Sequence, residues 1–368
     1  MNKIWNKMLI AASIAMTLMP LNALAHGSEA EHQNEVKLYS YIFYGSILFL
    51  LAVVFWFIFS RRKLTKWMLA ISLVASVASG SLFAINRSSD GGAISLTHIH
   101  GLGYSKDGKN IFIPAHDGLK VYSEGKWRSE NGAPHDYMGF NMVDNGFYTS
   151  GHPALGSELK NPFGVAKSTD NGKTLQFLDL YGEMDFHAMA VGYHSHVIYA
   201  FNPESNSRMQ TPGLYVSKDD AKSWSKSEMS GFEGELTAVA AHPIDPAIVA
   251  VGGKSGLYVS RNSGQSFDQS ISGVFTTAVA FSKDGEILVG GLKERPVIYV
   301  LDQDGKQTST LSVPDLGEKD AISYIAQNPE NQMELVFSTF EKDVYLSIDK
   351  GAHWTKIAAQ GKTISQNR

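Results

Sequence analysis

Histidines and carboxylates are the residues of this chain best able to do chemistry. The sequence has 12 His and no Cys. Without Cys there can be no disulfide framework, Cys-ligated zinc, iron–sulfur centre or thiol nucleophile. Six of the histidines, His98, His100, His116, His135, His152 and His187, fall in one stretch with Asp117, Asp136, Met138 and Asp185; Glu235 follows. Imidazole with carboxylate is a donor set for zinc, and imidazole with a thioether leans toward copper. The candidate metal ligands are His98, His100, His116, His135 and His187. Asp117, Asp136, Met138, His152 and Asp185 complete the candidate ligand-binding set. A pair drawn from Asp136, Asp185, Glu235 and Asp117 could instead supply the two carboxyl groups of glycoside hydrolysis. A third reading gives these groups a structural job, hydrogen-bonding neighbouring strands together. No nucleophile elbow, phosphate loop or dinucleotide fingerprint is present.

What positions these residues is a repeat. A phrase recurs at residues 118–127, 164–175, 213–224, 256–267 and 343–354, with a weaker copy at 297–305; its third copy reads Gly213-Leu-Tyr-Val-Ser-Lys-Asp-Asp-Ala-Lys-Ser-Trp224. Aligned on Ser123, Ser168, Ser217, Ser260, Leu301 and Ser347, the copies are 41 to 49 residues apart. Each reads as a strand, a tight turn and a second strand. Asp170, Asp219 and Asp349 are placed to accept bonds from turn amides, and Gly172, Gly264 and Gly351 to supply positive φ. Trp127, Trp224, Phe267 and Trp354 occupy the aromatic slot after the turn. Six repeats of this length fit four strands each, so the expected fold is an all-β, six-bladed β-propeller over 95–368.

The phrase resembles the Asp box, S-x-D-x-G-x-T-W, of sialidase-like (BNR-repeat) propellers. Asn262 and Ala221 depart from it in single copies. The segments His98-Ile-His-Gly-Leu-Gly-Tyr104, His135-Asp-Tyr-Met-Gly139, Ser150-Gly-His-Pro153 and Asp185-Phe-His-Ala-Met189 are also similar to those of bacterial extracytoplasmic propellers catalogued as BNR-type glycosyl hydrolases. The resemblance covers roughly residues 95–355. It implies the fold more firmly than an activity, because Asp boxes are structural hairpins in enzymes, receptors and assembly factors alike. Sialidases hold a carboxylate with three inward arginines. The arginines of 95–355 are Arg128, Arg208, Arg261 and Arg295, two of them in repeat hairpins at the wrong end, which argues against standard sialidase activity.

An apolar segment precedes each phrase and should form the innermost strand. Aligning these segments makes a ring of His100, Met138, His187, Thr237, Thr277 and Ser323, with His98, Asp136, Asp185, Glu235, Phe275 and Ala321 two residues earlier on the same side. The ring and the loops between second and third strands share one end of the propeller. Blades one to three therefore bring His98, His100, His116, His135, Asp136, Asp185 and His187 to one mouth, opposite the repeat turns, while His194 and His196 fall at the other end.

The first 85 residues differ in kind: 53 are apolar. Residues 1–25 read as a signal peptide, with Lys3 and Lys7, an apolar stretch and Ala23-Leu24-Ala25. A short extracytoplasmic segment (26–37) leads to uncharged apolar runs at 38–59 and 67–85, each about long enough to span a bilayer. The loop between them, 60–66, carries Arg61, Arg62, Lys63 and Lys66, which marks a cytoplasmic turn. Residues 86–94 are a linker. This topology puts the propeller on the periplasmic or extracellular side of a bacterial inner membrane. Residues 86–368 hold a net −8, which argues against a nucleic-acid partner and leaves a glycan or a protein as the alternatives to a metal. The reading with the most residues behind it is a membrane-anchored propeller that binds a ligand, copper, zinc or a partner at a His-rich mouth. The alternatives are a glycoside hydrolase and an assembly scaffold with structural histidines.

Overall fold

The computed structural model describes residues 44–51, 54, 72–74, 76–77, 94–317 and 320–365. The chain divides into two units, 1–93 and 94–368. In the first, Ser76 Oγ donates to the Ser46 carbonyl at 3.2 Å. Among the described residues no helix is long and apolar enough to cross a membrane. The expected signal peptide, the segment 26–37, the loop 60–66, most of both spans and the linker up to residue 93 lie outside the described residues.

The second unit is a six-bladed β-propeller, six antiparallel sheets in chain order. Blade I comprises Gly103–Tyr104, Ile111–Ala115, Gly118–Ser123 and Lys126–Ser129. Blade II comprises Asp136–Val143, Gly146–His152, Val165–Ser168 and Gln176–Asp179. Blade III comprises Met189–Val191, Ile198–Asn202, Gly213–Ser217 and Ser225–Lys226. The remaining blades begin at Leu236–Ala241, Phe275–Phe281 and Ile322–Gln327; blade VI carries a fifth strand, Lys362–Thr363. The first strand of each blade touches the first strand of the next, and the sixth touches the first, which closes the ring.

Both faces of every blade are covered, so the middle strands are continuous apolar runs rather than alternating ones; Val249–Gly253 is buried throughout. The core is accordingly six separate layers, one between each pair of blades. Phe112, Val121, Phe140 and Phe147 fill the layer between I and II, and Ile198, Met209, Tyr148 and Phe186 the layer between II and III.

The repeat turns show why the phrase recurs. Ser168 Oγ accepts the Gly172 N–H at 2.8 Å and donates to Asp170 Oδ1 at 2.8 Å; Asp170 in turn accepts the N–H and hydroxyl of Thr174. The bonds from Thr174 and Ser168 hold the Asp170 carboxyl down at about 2. Ser217 with Asp219 and Ser347 with Asp349 repeat this arrangement. The copy with Asn262 keeps it by reversing one polarity: Asn262 Nδ2 donates to Ser266 Oγ at 2.8 Å. Ala221 takes the glycine position of its turn at φ +62°. The three tryptophans are ties between blades as well as turn packing. Trp224 Nε1 donates to Asp179 Oδ2, Trp354 Nε1 to the Ser312 carbonyl and Trp127 Nε1 to the Ile357 carbonyl, each reaching the blade before its own.

The seam between blades VI and I has a further clasp. Leu96 N–H donates to the Gly361 carbonyl at 2.7 Å, Ser95 pairs with Lys362, and Thr363 Oγ1 donates to the Ile94 carbonyl at 2.7 Å. Leu96, 1% exposed, packs with Tyr104, Ile111, Val336 and Ile357 from both blades.

Candidate functional site

Three imidazoles converge at the mouth. His98 and His100 lie in the segment entering blade I, where the His100 N–H bonds to the Pro114 carbonyl at 3.2 Å. His116 occupies a two-residue turn, because Ala115 and Gly118 are already paired across the hairpin. Beside it, Asp117 accepts the buried Lys120 Nζ at 2.8 Å, which pins the turn. One ligand atom from each of His98, His100 and His116 lies within 4.8 Å of the others. Their ring centroids are 4.7 to 5.9 Å apart.

Asp136, first residue of the inner strand of blade II, stands against this group. Its Oδ2 is 2.6 Å from His116 Nδ1 and its Oδ1 is 3.6 Å from His100 Nε2. Burial works against its ionisation, yet the His116 hydrogen bond and the nearby His116, His100 and His152 hold its carboxyl below the usual range. Asp136 and His152 are direct cross-strand partners, so their side chains leave the same face of adjacent strands.

A second cluster continues from there. Asp185 Oδ2 is 3.2 Å from both His152 Nε2 and His187 Nδ1, and His152 Nδ1 is 2.6 Å from Asn161 Oδ1. The mouth therefore carries alternating imidazoles and carboxylates: His116, Asp136, His152, Asp185, His187. The hydrogen bond that His152 donates to Asp185, helped by Asn161 and opposed by burial, pushes His152 up to about 9. A folded value above the ordinary 6.5 means that the ion pair stabilises fully below about pH 6.5 and loses its contribution as pH rises through about 9. Histidine 1H–15N correlation spectra should show His152 titrating near pH 9. A midpoint near 6.5 would mean that the pair does not form.

The other candidates are placed differently. His135 is buried; its Nδ1 accepts the Ala154 N–H at 2.9 Å, its ring meets Tyr137 and Phe163 edge-on, and burial holds it neutral by lowering its value. It does not belong to the three-histidine group. Met138 is buried in its strand, and Thr149 Oγ1 donates to its carbonyl. Glu235 is exposed and paired with Lys254 at 3.3 Å. His194 and His196 sit at the opposite end, both on Asp144 at 3.0 and 2.7 Å. Asn161 was not foreseen; its only sequence signal is that it precedes Pro162 in the long loop of blade II.

Below the mouth, the six inner strands enclose an axial channel of about 540 Å³. His98 and His187 line it with Tyr104, Thr237, Thr277 and Ser323.

The class defined by this geometry is a six-bladed β-propeller with an imidazole–carboxylate mouth. No family model matches the chain, and no curated protein does. Among solved structures it is similar to the GH74 enzyme of Niastella koreensis, at 15% identity over 72% of this chain and 46% of that one, with a TM-score of 0.46. It is also similar to YCF48 bound to a D1 peptide (13% identity, 71% and 82% covered, TM-score 0.43) and to a putative gluconolactonase (13%, 70% and 91%, TM-score 0.49). The chain spans about half the length of the GH74 enzyme. At such identities the likeness is one of fold.

Proposed function

We propose that this is a membrane-anchored, extracytoplasmic Asp-box propeller that binds a transition-metal cation, zinc or copper, through His98, His100 and His116. One observation carries the reading: three imidazoles from two chain segments bring ligand atoms within 4.8 Å of one another. Three imidazoles are a common zinc set with room for a further ligand, and they suit copper equally. The four-part hydrogen-bond pattern of the repeat turns supports the Asp-box assignment. The apolar runs of the first 85 residues and the basic loop between them support the anchor, as do the exposed Leu48, Leu51, Leu73, Val74 and Val77.

Glycoside hydrolysis is less well supported. A general acid needs a carboxyl group whose value is raised. Asp136 is held low, and Asp185 is engaged by two imidazoles.

The test is metal analysis of the purified full chain in detergent, incubated with equimolar Zn2+ or Cu2+ and desalted, beside the His100→Ala/His116→Ala double variant. The wild type should retain about one equivalent per chain and the variant should lose it. Equally negligible metal in both would sink the reading.

A further inference from the structure

Asp136 is one of the two most enclosed carboxylates of the mouth, its side chain 17% exposed, yet it presents both oxygens to imidazoles rather than to the channel. Its place is rigid. It begins an inner strand, it is paired in register with His152, and the strand it pairs with is buried for most of its length. His152 is in turn fixed by Asp185 and Asn161. The partner, His116, sits on a turn with no spare residue.

At 2.6 Å the His116 Nδ1···Asp136 Oδ2 contact is a charge-assisted hydrogen bond in which Nδ1–H donates and the carboxylate accepts. An imidazole that donates from Nδ1 keeps its lone pair on Nε2. The tautomer of His116 is thus set by a group outside the three-histidine set. The other oxygen, Oδ1, is buried and accepts no hydrogen bond among the described residues; His100 Nε2 lies 3.6 Å from it. One carboxylate therefore faces two of the three imidazoles. Its negative charge also lies where a divalent cation on neutral imidazoles would otherwise stand uncompensated in a half-buried site.

We infer that Asp136 is the positioning residue of a divalent-cation site: it does not touch the metal, but locks His116 with Nε2 as the ligand atom, steadies His100 and offsets part of the cation's charge. The inference rests on the metal-binding reading above. It gives Asp136 a role distinct from that of a hydrolytic carboxylate or a fourth ligand. Carboxylates behind metal-bound histidines set ring orientation and basicity, and their loss weakens metal affinity by about 10- to 100-fold.

The experiment uses the full chain in detergent, as wild type, Asp136→Asn and Asp136→Ala. Zn2+ affinity is read by competition with a chromophoric chelator, coordination by the Co2+ visible spectrum, and the His116 tautomer by 1H–15N correlation. Both variants should bind Zn2+ more weakly, by about 10-fold or more, and Asp136→Ala should be the weaker because the amide of Asp136→Asn still accepts from Nδ1–H. At saturating Co2+ the band shape should match wild type, and in metal-free Asp136→Ala the His116 signals should leave the Nδ1–H pattern. Wild-type affinity in both variants would overturn the positioning role and leave the metal site standing. A Co2+ spectrum showing loss of a ligand would also overturn it, by making Asp136 a direct ligand. A wild type that takes up no Zn2+ would overturn both readings. Circular dichroism of each variant separates these outcomes from misfolding.

Discussion

Gly256→Ala should destabilise the propeller by about 3–5 kcal/mol, and Gly213→Ala by no more than about 1–2 kcal/mol. Both glycines open the repeat phrase, and both have positive φ, +149° and +141°. Gly118 and Gly164, which open two further copies, share the sign. The pair differs in what a side chain would meet. A Cβ on Gly256 would lie 1.8 Å from the Ile271 carbonyl oxygen, part of the strand paired with it, so the blade must open. A Cβ on Gly213 would first meet Lys226 Cε at 3.0 Å, the end of a flexible side chain that can swing aside. Backbone strain is common to both variants, and the steric cost falls on one alone. Thermal and urea denaturation of the two would decide the matter. Equal losses would mean that the neighbouring strand contributes nothing.

Leu96→Ala should cost about 2–5 kcal/mol, a core-sized loss from a residue outside every strand. Leu96 fills the layer between the last blade and the first. Truncation there leaves a cavity lined by Tyr104, Ile111, Val336 and Ile357, which are held by their own sheets and cannot collapse onto it. The adjacent Ser95→Ala variant, which keeps the backbone pairing with Lys362, is the control and should stay within about 0.5 kcal/mol. If Leu96→Ala also falls within that margin, the clasp does not contribute to closure.

Much of this could be read from residue order. The phrase containing Ser217-Lys-Asp219 announces its blade because a hydroxyl, a carboxylate and a turn amide must meet at fixed offsets, and the contacts at Ser217 and Asp219 are those offsets made physical. The gathering of His98, His100 and His116 was legible for a related reason: blade periodicity assigns an end to each loop. Three things were not legible. The first inner strand was expected from His100, but only Gly103–Tyr104 pairs as a strand; ahead of it the His100 N–H bonds to the Pro114 carbonyl. His135 directly precedes Asp136, yet it lies just outside the strand that Asp136 begins, and its ring turns instead toward Phe163. The clasp at residues 94–96 has no sequence signature, since it consists of bonds to backbone carbonyls on segments some 270 residues apart.

That clasp brings Ile94 and Thr363 into hydrogen-bond contact. The first described residue of the domain and its last strand meet on the outer edge of blade VI, so the chain between them is nearly a closed loop. Any of the six blades could serve as the starting blade, as in a circular permutant, and the whole ring could be carried as an insert within a surface loop of another protein without stretching either junction. A fold of this kind can be moved between architectures as a unit. Its mouth, built within the first three blades, would travel with it intact.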